Sequence, residues 1–141
     1  MVLTMKNVLC FGTFDMLHPG HLHFLREARK LGRSLTVVVA RDSTVKAVKG
    51  EFPANSEAYR LDRVAELDFV DKALLGSTGD KLEVVWKIKP DVICLGYDQH
   101  SFTEHLKDEL GKRDMKVLVV RLPAYKEDMY KSSKLKLPKT E

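Results

Sequence analysis

Cysteine is scarce, with two residues in a chain of 141. Two thiols cannot build a disulfide framework, so a packed core must hold the fold and a cytoplasmic setting is expected. Long apolar runs are absent as well. The longest clear run, Leu35 to Ala40, is far short of the roughly 20 residues of a spanning helix. The N-terminal MVLTMKN enters a strand-like segment without the apolar stretch and cleavage site of a signal peptide. Glycine and proline are few, at 8 and 5, and no linker, repeat or low-complexity stretch stands out. Two phosphate-binding signatures are missing: there is no G-x-x-x-x-G-K-[ST] and no G-x-G-x-x-G. Basic residues are dispersed and aromatics amount to only 8%, so the interleaved basic and aromatic patch of a nucleic-acid binder is lacking.

What is present is ordinary in amount and ordered in pattern. Hydrophobic residues make up 44% and charged residues 31%, with a net charge of +4. A chain of this length buries roughly two-thirds of its unfolded surface, which predicts one soluble domain over residues 1–141. Short apolar runs of the buried-strand kind are Asn7–Phe11, Leu35–Ala40, Val70–Leu75, Asp91–Leu95 and Val117–Leu122. Helical periodicity falls between them, over Pro19–Leu31, Ser43–Val48, Ser56–Leu67, Asp80–Ile88 and Ser101–Lys112, with a short terminal helix over Tyr130–Leu137. This alternation predicts an α/β fold: a doubly wound, Rossmann-like, five-stranded parallel sheet with helices on both faces. Ligands of such sheets sit beyond the carboxyl ends of the strands, where strand order reverses.

The segment after the first strand reads Gly12-Thr13-Phe14-Asp15-Met16-Leu17-His18-Pro19-Gly20-His21. His18 and His21 are three residues apart at a helix start and share a face of its first turn. Free backbone amides and the positive end of the helix dipole make that position an anion site. Gly20 puts no side chain between the histidines, so a phosphate can come close. Two other readings stay open: a metal site of His18, His21 and His23, for which no further ligand type completes a tetrahedral set, or histidines that merely cap the helix.

This segment resembles the signature of the cytidylyltransferase-like nucleotidyltransferases, G-x-F-D-x-x-H-x-G-H, and Gly12, Phe14, Asp15, His18, Gly20 and His21 meet every specified position. The resemblance covers nearly the whole chain and implies a compact doubly wound domain. It gives His18, His21 and Lys46 catalytic roles, the histidines stabilising charge on the nucleotide phosphates. It also implies nucleotide contacts from Thr13, Phe14, Asp15, Gly20 and Lys49, against a plain solvated basic helix face for the two lysines. Arg60 falls where relatives carry an arginine near a helix start, and a surface ion pair explains it equally well. Gly96, Asp98 and Gln99 fall in the loop that recognises base and ribose, or in a plain turn. Ser132 and Ser133 resemble the family's late hydroxyl pair on phosphate, or an N-cap.

The glycerol-phosphate and choline-phosphate members end in R-T-E-G-I-S-T-[ST]. Here Arg121 to Ser133 lacks the arginine and Glu-Gly pair of that motif. The chain is instead similar to the archaeal-type FAD synthases, through Ile88–Ile93, Leu95–Gln99 and Tyr130–Lys134. That implies transfer of AMP from ATP to FMN, giving FAD and pyrophosphate. The alternative is a CTP-dependent transfer to glycerol 3-phosphate or a similar alcohol phosphate. The implied cofactor is a divalent ion, Mg²⁺, bridging the phosphates, with Asp15 as a candidate ligand and no dedicated protein metal site. Implied partners are ATP and FMN, with no nucleic acid and no membrane, and a homodimer is expected because family members often pair. Outside this pattern, Gly76 to Lys81 reads as a turn that caps the next helix through Thr78 or Asp80. Cys10 and Cys94 read as buried, inert thiols, and Trp86 and Phe102 as core residues.

Overall fold

The computed structural model describes residues 6–80, 82–97 and 99–123, with the backbone alone for residues 100–104. The order is β1 (Asn7–Gly12), α1 (Pro19–Arg29), β2 (Ser34–Val39), α2 (Asp42–Lys49), α3 (Glu57–Ala65), β3 (Lys72–Leu75), α4 (Glu83–Ile88), β4 (Val92–Leu95), α5 (His100–Lys112) and β5 (Leu118–Arg121). The five strands are all parallel and lie in the order β3-β2-β1-β4-β5. The chain first winds outward from β1 through β2 to β3. It then returns to the other side of β1 and winds through β4 to β5. Loops leaving β1 and β4 therefore diverge, and a crevice opens between them at the carboxyl edge.

Period-two alternation divides the core between the two faces. Val8 and Cys10 face α1 and α3, where Leu25, Ala28 and Val64 pack with Leu35, Val37 and Val39. Leu9 points the other way, into a cluster of Leu82, Val84, Val85, Ile93, Leu95, Leu106 and Leu110. Burial on both faces explains why the strands read as continuous apolar runs.

Element ends differ from expectation where a residue is buried without being regular. Val70 packs in the core, but its amide donates to the Leu67 carbonyl, and the third strand starts only at Lys72. The fourth helix starts at Glu83 because the Asp80 carboxylate accepts the Leu82 amide at 3.0 Å, a closed turn in place of a first helical turn. Trp86 is half-buried against the second cluster with the Arg113 guanidinium 4.0 Å above its ring. Among the described residues no helix is long and apolar enough to cross a membrane. Asp98, Ser132, Ser133 and the helix expected over Tyr130–Leu137 lie outside the described residues.

Candidate active site

The site begins with a close approach at the end of β1. A Cβ on Gly12 would stand 2.5 Å from the ring of Phe14, so any other residue must displace that ring. Phe14 itself adopts φ 52°, in the left-handed region that a bulky residue enters at a cost of roughly 1–2 kcal/mol. Burial offsets that strain: the side chain is 5% exposed and sits in the first core cluster. Its ring meets the His21 ring edge-on, with centroids 5.4 Å apart and planes at 76°. A buried aromatic ring thereby fixes one face of the second histidine.

His18 is the N-cap of α1, and its Nδ1 accepts the Gly20 amide at 3.1 Å. With Nδ1 accepting, the neutral ring carries its proton on Nε2, which stays available as a donor on an exposed residue. The two imidazoles stack, with centroids 3.8 Å apart and planes at 23°. Two aligned rings at the amino end of a helix, on the switch-point crevice, are suited to an anion with several oxygens.

Long-range polar ties hold this loop. Asp15 accepts the Ala54 and Asn55 amides, both at 2.8 Å, and its carbonyl accepts the Asn55 side-chain amide at 2.6 Å. Burial pushes its carboxyl up, but these hydrogen bonds and the Arg60 charge outweigh that and hold it below the ordinary carboxylate range. Both oxygens thus hold backbone amides of the 54–55 segment. Among the described residues no group of three His, Cys, Asp or Glu side chains could hold a metal ion.

Arg60 is fully buried, so the surface ion pair offered as its alternative explanation is not what it forms. Its Nη1 donates to the carbonyls of Thr13 at 2.8 Å and Ala40 at 2.9 Å, its Nε to that of Asn55 at 3.0 Å, and its Nη2 to Asp42 Oδ1 at 2.7 Å. It pins the segments after β1 and β2 to the start of α3. A sequence signal existed: Arg60 stands four residues before buried Val64, on the same helix face. Sequence reasoning missed Arg41 and Glu57, which extend this network. Arg41 Nε donates to the Gly76 carbonyl at 2.8 Å, and Glu57 Oε1 accepts the Asp42 amide at 2.8 Å.

Lys46 and Lys49 are exposed on α2, beyond the carboxyl end of β2. Lys46 Nζ donates to the Gly50 carbonyl at 3.0 Å and lies 5.5 Å from the centre of the Phe52 ring. Across the crevice, Gln99 Oε1 accepts the Gly96 amide at 2.7 Å and its Nε2 donates to the Phe11 carbonyl at 3.3 Å. Its side chain braces the loop from within. Arg121, also missed, clasps the same loop by donating to the carbonyls of Gly96 at 2.7 Å and Gln99 at 3.2 Å. The structure thus gathers residues 13–21, α2 and the 96–99 loop at one edge of the sheet and places Arg60 beneath them.

Nucleophilic thiol chemistry is absent from this site. Cys10 and Cys94 are cross-strand partners between β1 and β4, both buried. Burial, and then the neighbouring Cys94, raise the Cys10 thiol well above its usual range; burial pushes Cys94 up to about 12.

A doubly wound parallel sheet with two stacked histidines at a helix amino end on its switch point defines a Rossmann-like α/β protein. The chain belongs to the cytidylyltransferase-like family, whose model matches residues 9–137. It is 51% identical over 123 residues to the FAD synthase of Methanosarcina barkeri, covering 87% of each chain. To the FAD synthase of Thermoplasma volcanium it is 42% identical over 132 residues, 94% of this chain and 92% of that one. Among solved structures it is similar to the lipopolysaccharide core biosynthesis protein of Thermoplasma volcanium, with a TM-score of 0.81 and 45% identity over 86% of this chain and 98% of that one.

Proposed function

We propose that this chain is an FMN adenylyltransferase: it transfers AMP from ATP to the phosphate of FMN and releases pyrophosphate. The observation that carries the reading is the His18–His21 pair on the switch-point crevice, in a chain 42–51% identical to FAD synthases over most of its length. A terminal phosphate oxygen of FMN attacks the α-phosphorus of ATP. A new P–O bond forms, the bond to the bridging oxygen breaks, and that oxygen leaves on pyrophosphate.

The second pKa of a phosphate monoester is about 6, so the nucleophile is already ionised near neutral pH and needs no general base. That leaves positioning and charge stabilisation to the protein. In this reading His18 Nε2 and the His21 ring meet charge developing on the α- and β-phosphates. Gly20 leaves the room, Lys46 and Lys49 hold the outer phosphates, and Ser132 and Ser133 are expected to join them. Gly96, Asp98 and Gln99 form the nucleoside side. A divalent ion, Mg²⁺ in this reading, would be held mainly by the triphosphate and would neutralise part of its charge. Cytoplasmic location, a homodimer and the absence of nucleic-acid and membrane partners belong to the same reading.

Pyrophosphate release with ATP plus FMN, set against CTP plus glycerol 3-phosphate, tests it. FAD and pyrophosphate are expected in equal amounts from the first pair only. His21→Ala should lose on the order of 10²-fold or more in turnover with its circular dichroism unchanged. Faster turnover of the CTP pair, or near-normal turnover of His21→Ala, overturns the reading.

A further inference from the structure

The amino edge of the sheet carries a cavity that the proposed reaction does not use. Lys89 to Asp91 lead from α4 into β4, and residues 113–117 lead from α5 into β5. Together with the end of α4 they line a cavity of about 470 Å³. The strands are all parallel, so this cavity lies at their amino ends, while the histidines and the 96–99 loop lie at the carboxyl ends. The phrase Ile88–Ile93, which carries part of the resemblance to the FAD synthases, thus begins here and not at the crevice.

The charge of the lining is unbalanced. Lys89, Arg113 and Lys116 bring three cations, and Asp91 brings the one carboxylate. Asp91 Oδ2 already accepts the Asn7 amide at 2.9 Å. Nearby lysines are paired, Lys87 with Glu83 at 3.3 Å and Lys112 with Glu109 at 3.5 Å. The three cavity cations form no ion pair and no side-chain hydrogen bond among the described residues. Arg113 is held instead by Trp86, its guanidinium carbon 4.0 Å from the centre of the ring. That contact restrains the group while its N–H donors stay open to an acceptor. The remaining lining is apolar, from Trp86, Pro90, Met115 and Val117. The Trp86 Nε1 is shut off from water and has no hydrogen-bond partner among the described residues. A folded interior seldom leaves such a donor unpaired, which marks this wall as one the chain does not complete by itself.

From this we infer that the cavity binds a phosphomonoester on a flat, largely apolar body, the class to which nucleoside monophosphates belong. Three cations against one carboxylate leave an excess of two positive charges, close to the charge of a phosphomonoester dianion. A bare phosphate would fill a small part of the volume and leave the apolar side wet. A purely apolar ligand would gain nothing from the cations. The volume lies within the roughly 300–1,000 Å³ of small-molecule sites. The inference is independent of which phosphate accepts AMP at the other edge.

Trp86 is the single tryptophan, so its fluorescence reports on this cavity. The test titrates the full chain with AMP, with adenosine and with inorganic phosphate. AMP should change the Trp86 emission saturably, with a Kd below about 1 mM, and the other two should each bind at least about tenfold more weakly, since each lacks half of the contacts. Lys89→Gln/Lys116→Gln removes the excess charge and keeps Arg113 on the ring; it should weaken AMP at least about tenfold and leave adenosine within about twofold. Both lysines are exposed, so circular dichroism should be unchanged, and Lys116→Gln alone serves if the double variant does not fold. His21→Ala should keep the AMP affinity within about twofold, because sites at opposite edges act independently. No saturable response to AMP overturns the inference, as does an unchanged AMP affinity in the lysine variant. Inorganic phosphate that binds as tightly as AMP overturns the apolar half of the site, and a response lost in His21→Ala overturns the cavity as its source.

Discussion

Replacing Arg60 separates two roles that the same residue could fill. In Arg60→Ala three carbonyls, of Thr13, Ala40 and Asn55, lose their guanidinium donor, and Asp42 loses its partner. Each stranded acceptor costs about 1–3 kcal/mol, and breaking a buried ion pair by removing one partner costs about 3–5 kcal/mol where the surviving charge is left without compensation, less where water reaches it. Water does reach Asp42, whose side chain is 33% exposed, while Arg60 is not exposed at all. A destabilisation of about 4 kcal/mol is therefore expected. In a domain of this size about 1 kcal/mol moves Tm by roughly 3 °C, so Tm should fall by about 12 °C. Arg60→Lys should recover less than half of this, because an ammonium cannot reproduce the planar fork that reaches four acceptors. Thermal unfolding followed by circular dichroism gives the shift. Kinetics at a temperature where the variant is fully folded give the remaining activity. A Tm lowered by less than about 3 °C together with a loss of kcat/KM beyond about 10²-fold would refute the structural role, and would mean that the guanidinium reaches the nucleotide.

Three other perturbations follow from the same network. Gly12→Ala places a methyl group 2.5 Å from the Phe14 ring and must displace it, and with it the His21 ring. Turnover should fall on the order of 10²-fold, with about 1–3 kcal/mol lost in a urea titration; normal turnover would show that Phe14 does not position His21. Asp15 has a depressed carboxyl in the folded state, so its contribution to stability is present above the ordinary Asp value and is lost as pH falls through the folded one. Urea midpoints measured between about pH 6 and pH 3 should therefore drop less steeply in Asp15→Asn than in the wild type, and equal slopes would contradict the clamp. Arg121→Ala removes the clasp on the 96–99 loop and should raise KM for ATP roughly tenfold, the worth of one charge-assisted hydrogen bond, with a smaller change for FMN.

The sheet was legible because burial on both faces leaves an unmixed apolar signature at β1, β2 and β4, and because helical spacing intervenes each time. Its inaccuracies have one cause. Apolar residues mark burial, and burial extends past regular structure, as at Val70. The histidines were legible because the whole unit from Gly12 to His21 is contiguous, so spacing alone sets its geometry. Arg60 was misplaced because an arginine in a helix is normally solvated, and its interior acceptors come from three separate segments.

The unread part of the site is the part made across long stretches of chain. Gln99 and Phe11 are 88 residues apart, Arg121 and Gly96 are 25 apart, and Asp42 and Glu57 are 15 apart. No periodicity registers such pairs, since each depends on which strand ends up beside which. Yet these ties decide whether the motif can work. The decapeptide supplies imidazoles and a helix end, but Arg60, Gln99, Arg121 and the clamp that Asp15 makes on residues 54–55 fix the separation between the segments that must grip opposite ends of a nucleotide. A substitution of His18 or His21 should therefore reduce turnover with the fold intact. One among the ties should act through stability or through KM, and that difference in kind is what kinetics and unfolding, measured on the same variants, would reveal.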